Sequence, residues 1–261
     1  MTAMSRTLPV VPAATPAAIE PIPFGALLRA ELRKTTSVRA ARWLLAGTAA
    51  LAVAAEAIPL IFTHDVSQTR ASFLTWSALG VSRLLPIVLL MAMTSEWSQR
   101  TAMTTFALEP RRGRVLTAKA LAGLCVAAAA GVFSFAVATI TVLAAAHPGH
   151  HHIGTGWDWA ELGGFAVFVI ATSAIGIAVG AAVQNTAAAI VTYFALAAAF
   201  SILMVPALEK VGDWVNTAQT FGWLLDGQFH GHTAQIAVSA AVWIALPLAI
   251  GTVRTLRRDV A

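Results

Sequence analysis

Long apolar runs dominate the chain and are separated by short polar segments. A helix rises about 1.5 Å per residue, so roughly 20 apolar residues are needed to cross the hydrocarbon core of a bilayer. Strand-like alternation is absent, and backbone groups in lipid must be satisfied within the segment, so each run is predicted to be helical. The pattern predicts an all-α integral membrane protein with six transmembrane helices, at about 43–62, 73–94, 119–146, 160–183, 187–206 and 233–252.

A short amphipathic segment precedes the first span. Its apolar positions recur at helical spacing, at Phe24, Leu27, Leu28 and Leu32. Its charged positions fall largely on the remaining face, at Arg29, Glu31, Arg33 and Lys34. We expect an N-terminal helix lying in the membrane interface, although an ordinary basic flank that sets the topology would also account for the charges.

A second amphipathic segment separates spans five and six. Its apolar stripe has a period near 3.6 and comprises Val211, Trp214, Val215, Ala218, Phe221, Gly222 and Leu225. We expect an outer re-entrant or interfacial segment; a loop held by tryptophans at the membrane interface is the alternative.

The composition and charge distribution agree with a membrane protein. Hydrophobic residues make up 58% of the chain and charged residues 11%, against about a quarter charged in a soluble domain. The net charge of +5 is scattered rather than gathered in one patch, so we predict no nucleic-acid partner. Six spans place nearly all lysine and arginine residues on one side, which predicts cytoplasmic N- and C-termini. Residues 1–22 lack an unbroken apolar core and are expected to form a disordered cytoplasmic tail before a domain at 23–261.

The loop between spans two and three, "TSEWSQRTAMTTFALEPRRGRVLTAK", is unusually charged for its surroundings. Ala102, Met103, Phe106 and Ala107 share one helical face, and Thr101 or Ser98 is positioned to cap the start of a helix. Because Glu109 precedes a proline, this helix is predicted to stop there. A short helix held between two membrane helices and flanked by arginines favours a docking element for a cytoplasmic partner over a simple surface anchor.

This loop resembles that of the ABC-2 type transporter permeases, particularly the small actinobacterial ones. Those permeases carry a glutamate at the end of the second span, a nearby arginine and threonine, a proline–arginine turn and a lysine opening the third span. In many relatives a glycine precedes the threonine, where this chain has Arg100. The matching positions are Glu96, Arg100, Thr101, Pro110, Arg111, Arg112, Arg114 and Lys119.

The resemblance implies a function and a set of partners. In this family the loop is a coupling helix that docks on a separate nucleotide-binding ATPase subunit, and two permease copies, identical or different, form an exporter in the bacterial plasma membrane. ATP and Mg²⁺ would bind that subunit, since this chain has no GxxxxGK[ST] loop and is expected to be neither an enzyme nor a cofactor-binding protein. We expect Trp97, Met103 and Phe106 to be apolar anchors, with Arg111, Arg112 and Arg114 as orienting charges.

Two charges fall within predicted spans. Glu56 in span one and Arg83 in span two lie at similar depths, where a charge costs roughly 2.5–3.5 kcal/mol on insertion scales. We predict an ion pair between them; independent contact with a wet cavity, or an arginine that reaches outward to the interface, are the alternatives. Pro59 and Pro86 lie close by and are expected to bend both helices.

Other functions are compatible with parts of the sequence. Glu56 and Arg83 could serve an ion-coupled secondary transporter, and a non-transporting membrane anchor would show the same docking loop. All seven histidines fall on the predicted outer side, in and around "HPGHHH" and "HGH", but tolerated polar residues are favoured over a metal site or a metal-dependent intramembrane enzyme.

Overall fold

A computed structural model describes residues 22–62, 70–145, 159–203, 209–227 and 229–257. Within these ranges every regular element is helical. The elements are α1 (Phe24–Ser37), α2 (Arg39–Ala55), α3 (Ala57–Ile61), α4 (Arg70–Ser77), α5 (Leu79–Arg83), α6 (Leu85–Ser98), α7 (Ala102–Leu108), α8 (Arg112–Ala145), α9 (Trp159–Val183), α10 (Thr186–Leu203), α11 (Glu209–Val215), α12 (Thr217–Leu225), α13 (Phe229–Ala240), a π-helical turn (Ala241–Ala245) and α14 (Leu246–Arg257).

Five stretches of the described chain are long and apolar enough to cross a membrane. They agree with five of the predicted spans, although most begin earlier or end later than the apolar pattern alone suggested. Their bounds are Arg39–Ile61, Leu79–Ser98, Arg112–Ala145, Trp159–Val183 and Phe229–Arg257.

The remaining predicted span, 187–206, corresponds to α10. Only its first part, Thr186–Leu196, forms an apolar stretch in the described residues, and this stretch is shorter than a full crossing. The six-span topology therefore stays a prediction. The proposed disordered tail also stays a prediction, since residues 1–21 and most of the histidine-rich segment lie outside the described residues.

Proline interrupts the first two apolar stretches, as the sequence predicted. The ring of Pro59 excludes a hydrogen bond to the Ala55 carbonyl, and α2 ends at Ala55, with Glu56 forming the turn into α3. Pro86 lies in the first turn of α6, where its missing N–H is tolerated, and Leu84 separates α5 from α6.

Helix α9 is the centre of the bundle and packs against α6, α8, α10, α12 and α14. Gly176 approaches the backbone of Pro86, and Gly180, one turn later in α9, approaches the backbone of Leu90, one turn later in α6. The two helices therefore run in the same direction. Gly131 contacts Val169 while Gly123 contacts Ile177, so α8 runs antiparallel to α9. Gly176 and Gly180 belong to the segment "GIAVG", a pattern of small residues that allows close helix contact, and only a residue without a Cβ fits against Pro86.

The segment predicted to be re-entrant or interfacial forms two helices instead of one stripe. Asn216 breaks the run, and its side chain caps α12 by accepting a hydrogen bond from the Ala218 amide at 3.1 Å. Phe221 is buried in the core, whereas Val211 is 56% exposed. The indole of Trp243, in the π-helical turn, donates to the Val215 carbonyl at 2.7 Å and holds the break in place. α12 packs against the central helix α9, whereas α11 contacts α12 and α13.

A single methyl group at Gly176 is expected to destabilise the bundle. A Cβ there would lie 2.7 Å from Pro86 Cα and 2.8 Å from its carbonyl carbon, so α6 and α9 must separate. Gly176→Ala should cost about 1–3 kcal/mol of unfolding free energy, measured in mixed detergent micelles. Gly163→Ala is the matched control in the same helix, because open space surrounds Gly163. Equal effects of both substitutions would contradict the close contact.

Candidate functional site

One end of the bundle, here called the loop face, collects the residues selected from the 94–119 loop. α6 carries Glu96 and Trp97 to this face, α7 follows a short turn, and α8 begins at Arg112. Helix α1 packs against α8 and contacts α6 at the same end. The loop therefore meets the amphipathic helix, which the sequence analysis treated as a separate element.

Four charged side chains form an ion cluster at the loop face: Glu31 and Lys34 of α1, Glu96 of α6 and Lys119 of α8. The Nζ atom of Lys119 lies 2.8 Å from Glu31 Oε2 and 3.4 Å from Glu96 Oε1. The Nζ atom of Lys34 lies 2.6 Å from Glu31 Oε1 and 3.0 Å from Glu96 Oε1. Each ammonium group contacts both carboxylates, so the cluster has no net charge and joins three helices.

The hydroxyl of Thr105 adds α7 to the ion cluster. It donates a hydrogen bond to Glu96 Oε1 at 3.2 Å. Lys119 also donates to the Ala92 carbonyl at 3.4 Å, one turn before Glu96 on α6. The predicted docking helix is thus attached to the same carboxylate that binds both lysines.

Most of the ion cluster is buried. Glu31 is 1% exposed, Lys119 5% and Glu96 6%, while the side chain of Lys34 is 47% exposed. Burying charges of this kind is costly unless each has a close partner of opposite sign. The placement of Glu31 on the polar face of α1 was wrong: Glu31 lies on the inward face with Leu27 and Thr35, because Lys119 meets it there.

The environment of Lys34 favours its charged form. Burial of part of the side chain lowers its pKa, but hydrogen bonds to Glu31 and Glu96 outweigh that effect and raise the pKa above its ordinary value of 10.5. The stabilisation due to protonated Lys34 is therefore complete below pH 10.5 and is lost only as the pH rises through the raised pKa. Lys34 therefore keeps its ammonium charge at neutral pH.

A second set of bonds fixes the turn into α8. Arg114 Nη1 lies 2.7 Å from Glu109 Oε2, and Arg114 Nη2 donates to the Ile22 carbonyl at 2.7 Å. The other oxygen of Glu109 accepts from the Arg111 amide at 3.2 Å. Arg114 thus connects the turn around Pro110 to the start of α1, and its predicted orienting role toward a partner stays a prediction.

The aromatic side chains of the 94–119 loop point toward the bundle. The rings of Trp97 and Phe106 lie 6.0 Å apart between centroids, and the Arg112 guanidinium lies 5.2 Å from the Phe106 centroid. Phe106 also packs against a small buried cluster of Leu27, Val115 and Ala118. Trp97 and Phe106 are partly buried and position α7 on the bundle. Their role as apolar anchors for a partner stays a prediction.

The outward surface of α7 offers other side chains. Met103 is 56% exposed and Leu108 68% exposed, and an exposed arginine lies close to each along the chain, Arg100 before Met103 and Arg111 after Leu108. Sequence analysis selected Met103, Arg100 and Arg111 but missed Leu108. The sequence could have indicated Leu108, because it is an apolar residue immediately before the predicted end of the helix at Glu109. We call Met103, Leu108, Arg100 and Arg111 the docking surface.

The turn before α7 has the backbone geometry that favours glycine. Arg100 has a φ of 56°, in the left-handed region, which costs a residue with a side chain of order 1 kcal/mol. This is the position at which many ABC-2 permeases carry glycine. Thr101 occupies the N-cap position of α7, as predicted, but its side chain makes no capping hydrogen bond. The Ser98 hydroxyl lies 2.8 Å from that of Thr186 and does not cap α7.

Helix ends at the loop face are capped by side chains from other elements. Arg112 Nη1 donates to the Thr255 carbonyl of α14 at 3.1 Å, and Arg254 Nη1 donates to the Ala182 carbonyl of α9. The side-chain Nε2 of Gln184 donates to the Thr255 hydroxyl at 2.9 Å. Arg112 therefore has a structural partner in α14, in addition to any orienting role.

A cavity of about 510 Å³ opens beside the ion cluster. Glu31 and Lys34 lie at its edge, and the rest of its polar lining is mainly hydroxyl groups. These hydroxyls belong to Thr35, Ser37, Ser95, Ser98, Thr101, Thr104, Thr105 and Thr186. We call it the hydroxyl cavity; it separates α7 from α2 and the start of α10.

The predicted ion pair between Glu56 and Arg83 is wrong. Glu56 is 3% exposed, and neither carboxylate oxygen has a hydrogen-bond partner in the described part of the chain. Arg83 is exposed and lines a different cavity near Tyr193. Pro59 imposes a turn at Glu56, and a separate helix break follows Arg83. The two side chains therefore lie in different surroundings.

The described residues contain no group of three or more histidine, cysteine or carboxylate side chains that could hold a metal ion. The imidazole of His232 stacks on Trp223, with ring centroids 3.8 Å apart and planes inclined by 12°. His230 packs against Phe229. The histidines His64, His147, His150, His151 and His152 lie outside the described residues.

Comparison with known proteins identifies no relative. A scan against protein-family models finds no match. A search of curated proteins also finds none. The functional argument therefore depends on the geometry of the loop face.

Removal of Lys119 is expected to destabilise the protein more than removal of Lys34. Lys119→Met leaves two buried carboxylates with one half-exposed ammonium, and breaking a buried ion pair costs about 3–5 kcal/mol. Lys34→Met should cost less, because that side chain is 47% exposed and Lys119 still contacts both acids. Unfolding in mixed micelles measures both losses. Similar losses would show that the ion cluster is not assembled as described.

Neutralising Glu31 should lower the stability of the protein, whereas neutralising Glu56 should not. Glu31→Gln removes the charge that two ammonium groups contact, so the unfolding free energy should fall. Glu56→Gln removes a buried carboxylate without a partner among the described residues, so stability should be unchanged or higher. The two amide substitutions are sterically matched. A loss for Glu56→Gln equal to that for Glu31→Gln would mean that Glu56 has an undetected partner.

Proposed function

We propose that the chain is the permease subunit of an ATP-binding cassette exporter of the ABC-2 type. In this proposal six spans cross the bacterial plasma membrane, both termini are cytoplasmic, and two copies form the translocation pathway. The docking surface on α7 contacts a separate ATPase subunit, which binds ATP and Mg²⁺. The observation that carries the proposal is the attachment of α7 to α1, α6 and α8 through the ion cluster.

The attachment suits a coupling role because it makes the loop mechanically continuous with the membrane helices. A partner that moves Met103 and Leu108 also moves α6 and α8, which join α7 directly. It further moves α1, because Lys119 binds Glu31 at 2.8 Å. A loop that merely rested on a lipid surface would not require bonds to three helices. Closure of the ATPase would thus displace these helices together.

The docking surface has the composition of a protein contact. Two exposed apolar side chains, Met103 and Leu108, are flanked by two arginines. Apolar centres with charged rims are typical of protein interfaces, where the charges set orientation and association rate. The resemblance of the loop to ABC-2 permeases supplies the identity of the partner.

An ion-coupled mechanism using Glu56 and Arg83 has weaker support. The two side chains do not meet, and Glu56 has no hydrogen-bond partner in the described part of the chain. A non-transporting anchor would share the docking surface but not the need to move α6 and α8. Transport by proteoliposomes that contain the ATPase separates the anchor from the exporter.

Site-specific photocrosslinking tests the docking surface. A photoreactive phenylalanine analogue at Met103 or Leu108 should capture in cell membranes a protein that is also labelled by an azido-ATP analogue. The same analogue at Val211, which is 56% exposed like Met103, is the matched control and should capture no ATP-binding protein. Capture of lipid only at all positions, or equal capture from Val211, would contradict the proposal.

Charge substitution provides a functional readout. Met103→Asp and Leu108→Asp should each lower copurification of the ATPase and its turnover at least tenfold, since truncating an interface centre costs about 2 kcal/mol or more. Val211→Asp should leave both unchanged. Phe106→Ala should instead lower the thermal stability of the permease, because the Phe106 ring packs on Leu27 and Val115.

A further inference from the structure

A second cavity, of about 590 Å³, lies far from the ion cluster. It is formed by α4, α5, α9, α10, α12 and the π-helical turn. Arg83 lies roughly 22 Å from the Ser98 end of its span at 1.5 Å per residue, so the cavity is toward the end of the bundle opposite the loop face. We call it the arginine cavity.

The lining of the arginine cavity is largely apolar and aromatic. Its apolar residues include Phe168, Ile175, Val179, Phe194 and Leu225. A volume of this size is typical of a pocket for one small amphiphilic molecule. An aliphatic chain is the chemical group that this surface favours, because burying it removes apolar area from water.

Most polar groups of the lining are already satisfied by the backbone. The hydroxyls of Thr75 and Thr172 donate to carbonyls one turn earlier in their own helices. The indole of Trp243 donates to the Val215 carbonyl, and the Tyr193 hydroxyl lies 3.5 Å from the Ser82 carbonyl. These groups give the cavity little remaining capacity to bind a polar solute.

Arg83 is different from the rest of the lining. Its guanidinium has no hydrogen-bond or ion-pair partner in the part of the chain that the structure describes, and no carboxylate lines the cavity. An unpaired arginine within a membrane span is energetically costly, and an anion would offset this cost. The planar guanidinium is suited to phosphate or carboxylate oxygens.

We propose that the arginine cavity binds an anionic amphiphile, with its phosphate or carboxylate on Arg83 and its chain against α9, α10 and α12. The inference deepens the proposed function, because such a molecule would be the cargo class of the permease. Binding itself requires no ATPase. It can therefore be tested on the purified chain.

The probe is dodecyl phosphate with a diazirine on its chain, added to the full-length protein in phosphatidylcholine nanodiscs. Irradiation should label peptides from α10 and α12, and the corresponding neutral dodecanol should label them at least tenfold less. Arg83→Gln should lower phosphate labelling about tenfold, as expected from loss of one charge-assisted contact worth about 1.5 kcal/mol or more. Arg83→Lys should retain most of it.

Two further variants separate binding from folding. Gly222→Leu adds a side chain where open space surrounds the glycine at the cavity wall, so the fold should persist while labelling falls. Arg70→Gln is the matched arginine control, because Arg70 pairs with Glu161 at 3.6 Å outside the cavity, and it should label like the wild type. Equal labelling by phosphate and alcohol, or undiminished labelling of Arg83→Gln, would overturn the proposal.

Competition identifies the source of the amphiphile. If added phosphatidylglycerol in the nanodisc displaces the probe, the ligand is a bilayer lipid; if it does not, the ligand is a single-chain solute. Both results support an anionic amphiphile site. If the probe does not label the protein but Met103 still captures an ATPase, this inference is wrong and the proposed function stands. If the probe labels the protein but no ATPase is captured, the cavity binds the amphiphile and the proposed function is wrong.

Discussion

One lysine, Lys119, placed between two buried carboxylates determines the organisation of the loop face. Without an ammonium group at this point, Glu31 and Glu96 would be two like charges removed from water and close to the same position, which is strongly unfavourable. With it, α1 has one register on α8 that satisfies all four charges. The side chain that neutralises the cluster therefore also determines where the amphipathic helix lies and, through Thr105, where α7 lies.

This arrangement gives α6 a role at both ends of the molecule. Its last turns carry Glu96 and Trp97 into the loop face, and the break before it carries Arg83 into the arginine cavity. The intervening residues pack closely on α9, with no space for a Cβ at Gly176. A displacement at the loop face would thus be transmitted along α6 as a unit, with the break at Leu84 as the place where its direction can change.

The sequence predicted those parts of the fold that depend on local pattern. Apolar run length identified the five stretches that are long enough to cross a membrane, and the prolines lie at both helix breaks. The ion pair between Glu56 and Arg83 failed because equal depth does not determine which face of a bent helix a residue occupies. Glu31 was misplaced for a related reason: its spacing from Leu27 and Thr35 puts it on the inward face, but a charge was assumed to face outward. The partner that permits its burial is on α8, distant in sequence.

The orientation of α7 also depends on contacts that the sequence pattern does not show. A helical face was assigned to α7 from spacing alone, and the structure divides that face, with Ala102 and Phe106 inward and Met103 outward. Over a helix of only seven residues, contacts with α1 and α8 decide orientation more strongly than amphipathicity.

The parallel direction of α6, α9 and α14 has an electrostatic consequence. All three carboxyl termini point to the loop face, so their peptide dipoles accumulate partial negative charge there. Arg112 and Arg254 bind carbonyl oxygens at the ends of α14 and α9. These arginines belong to the excess of basic residues that orients a membrane protein, and here they also neutralise the helix dipoles. The same arginines would be needed at this end of the bundle even if the chain were inserted in the opposite direction.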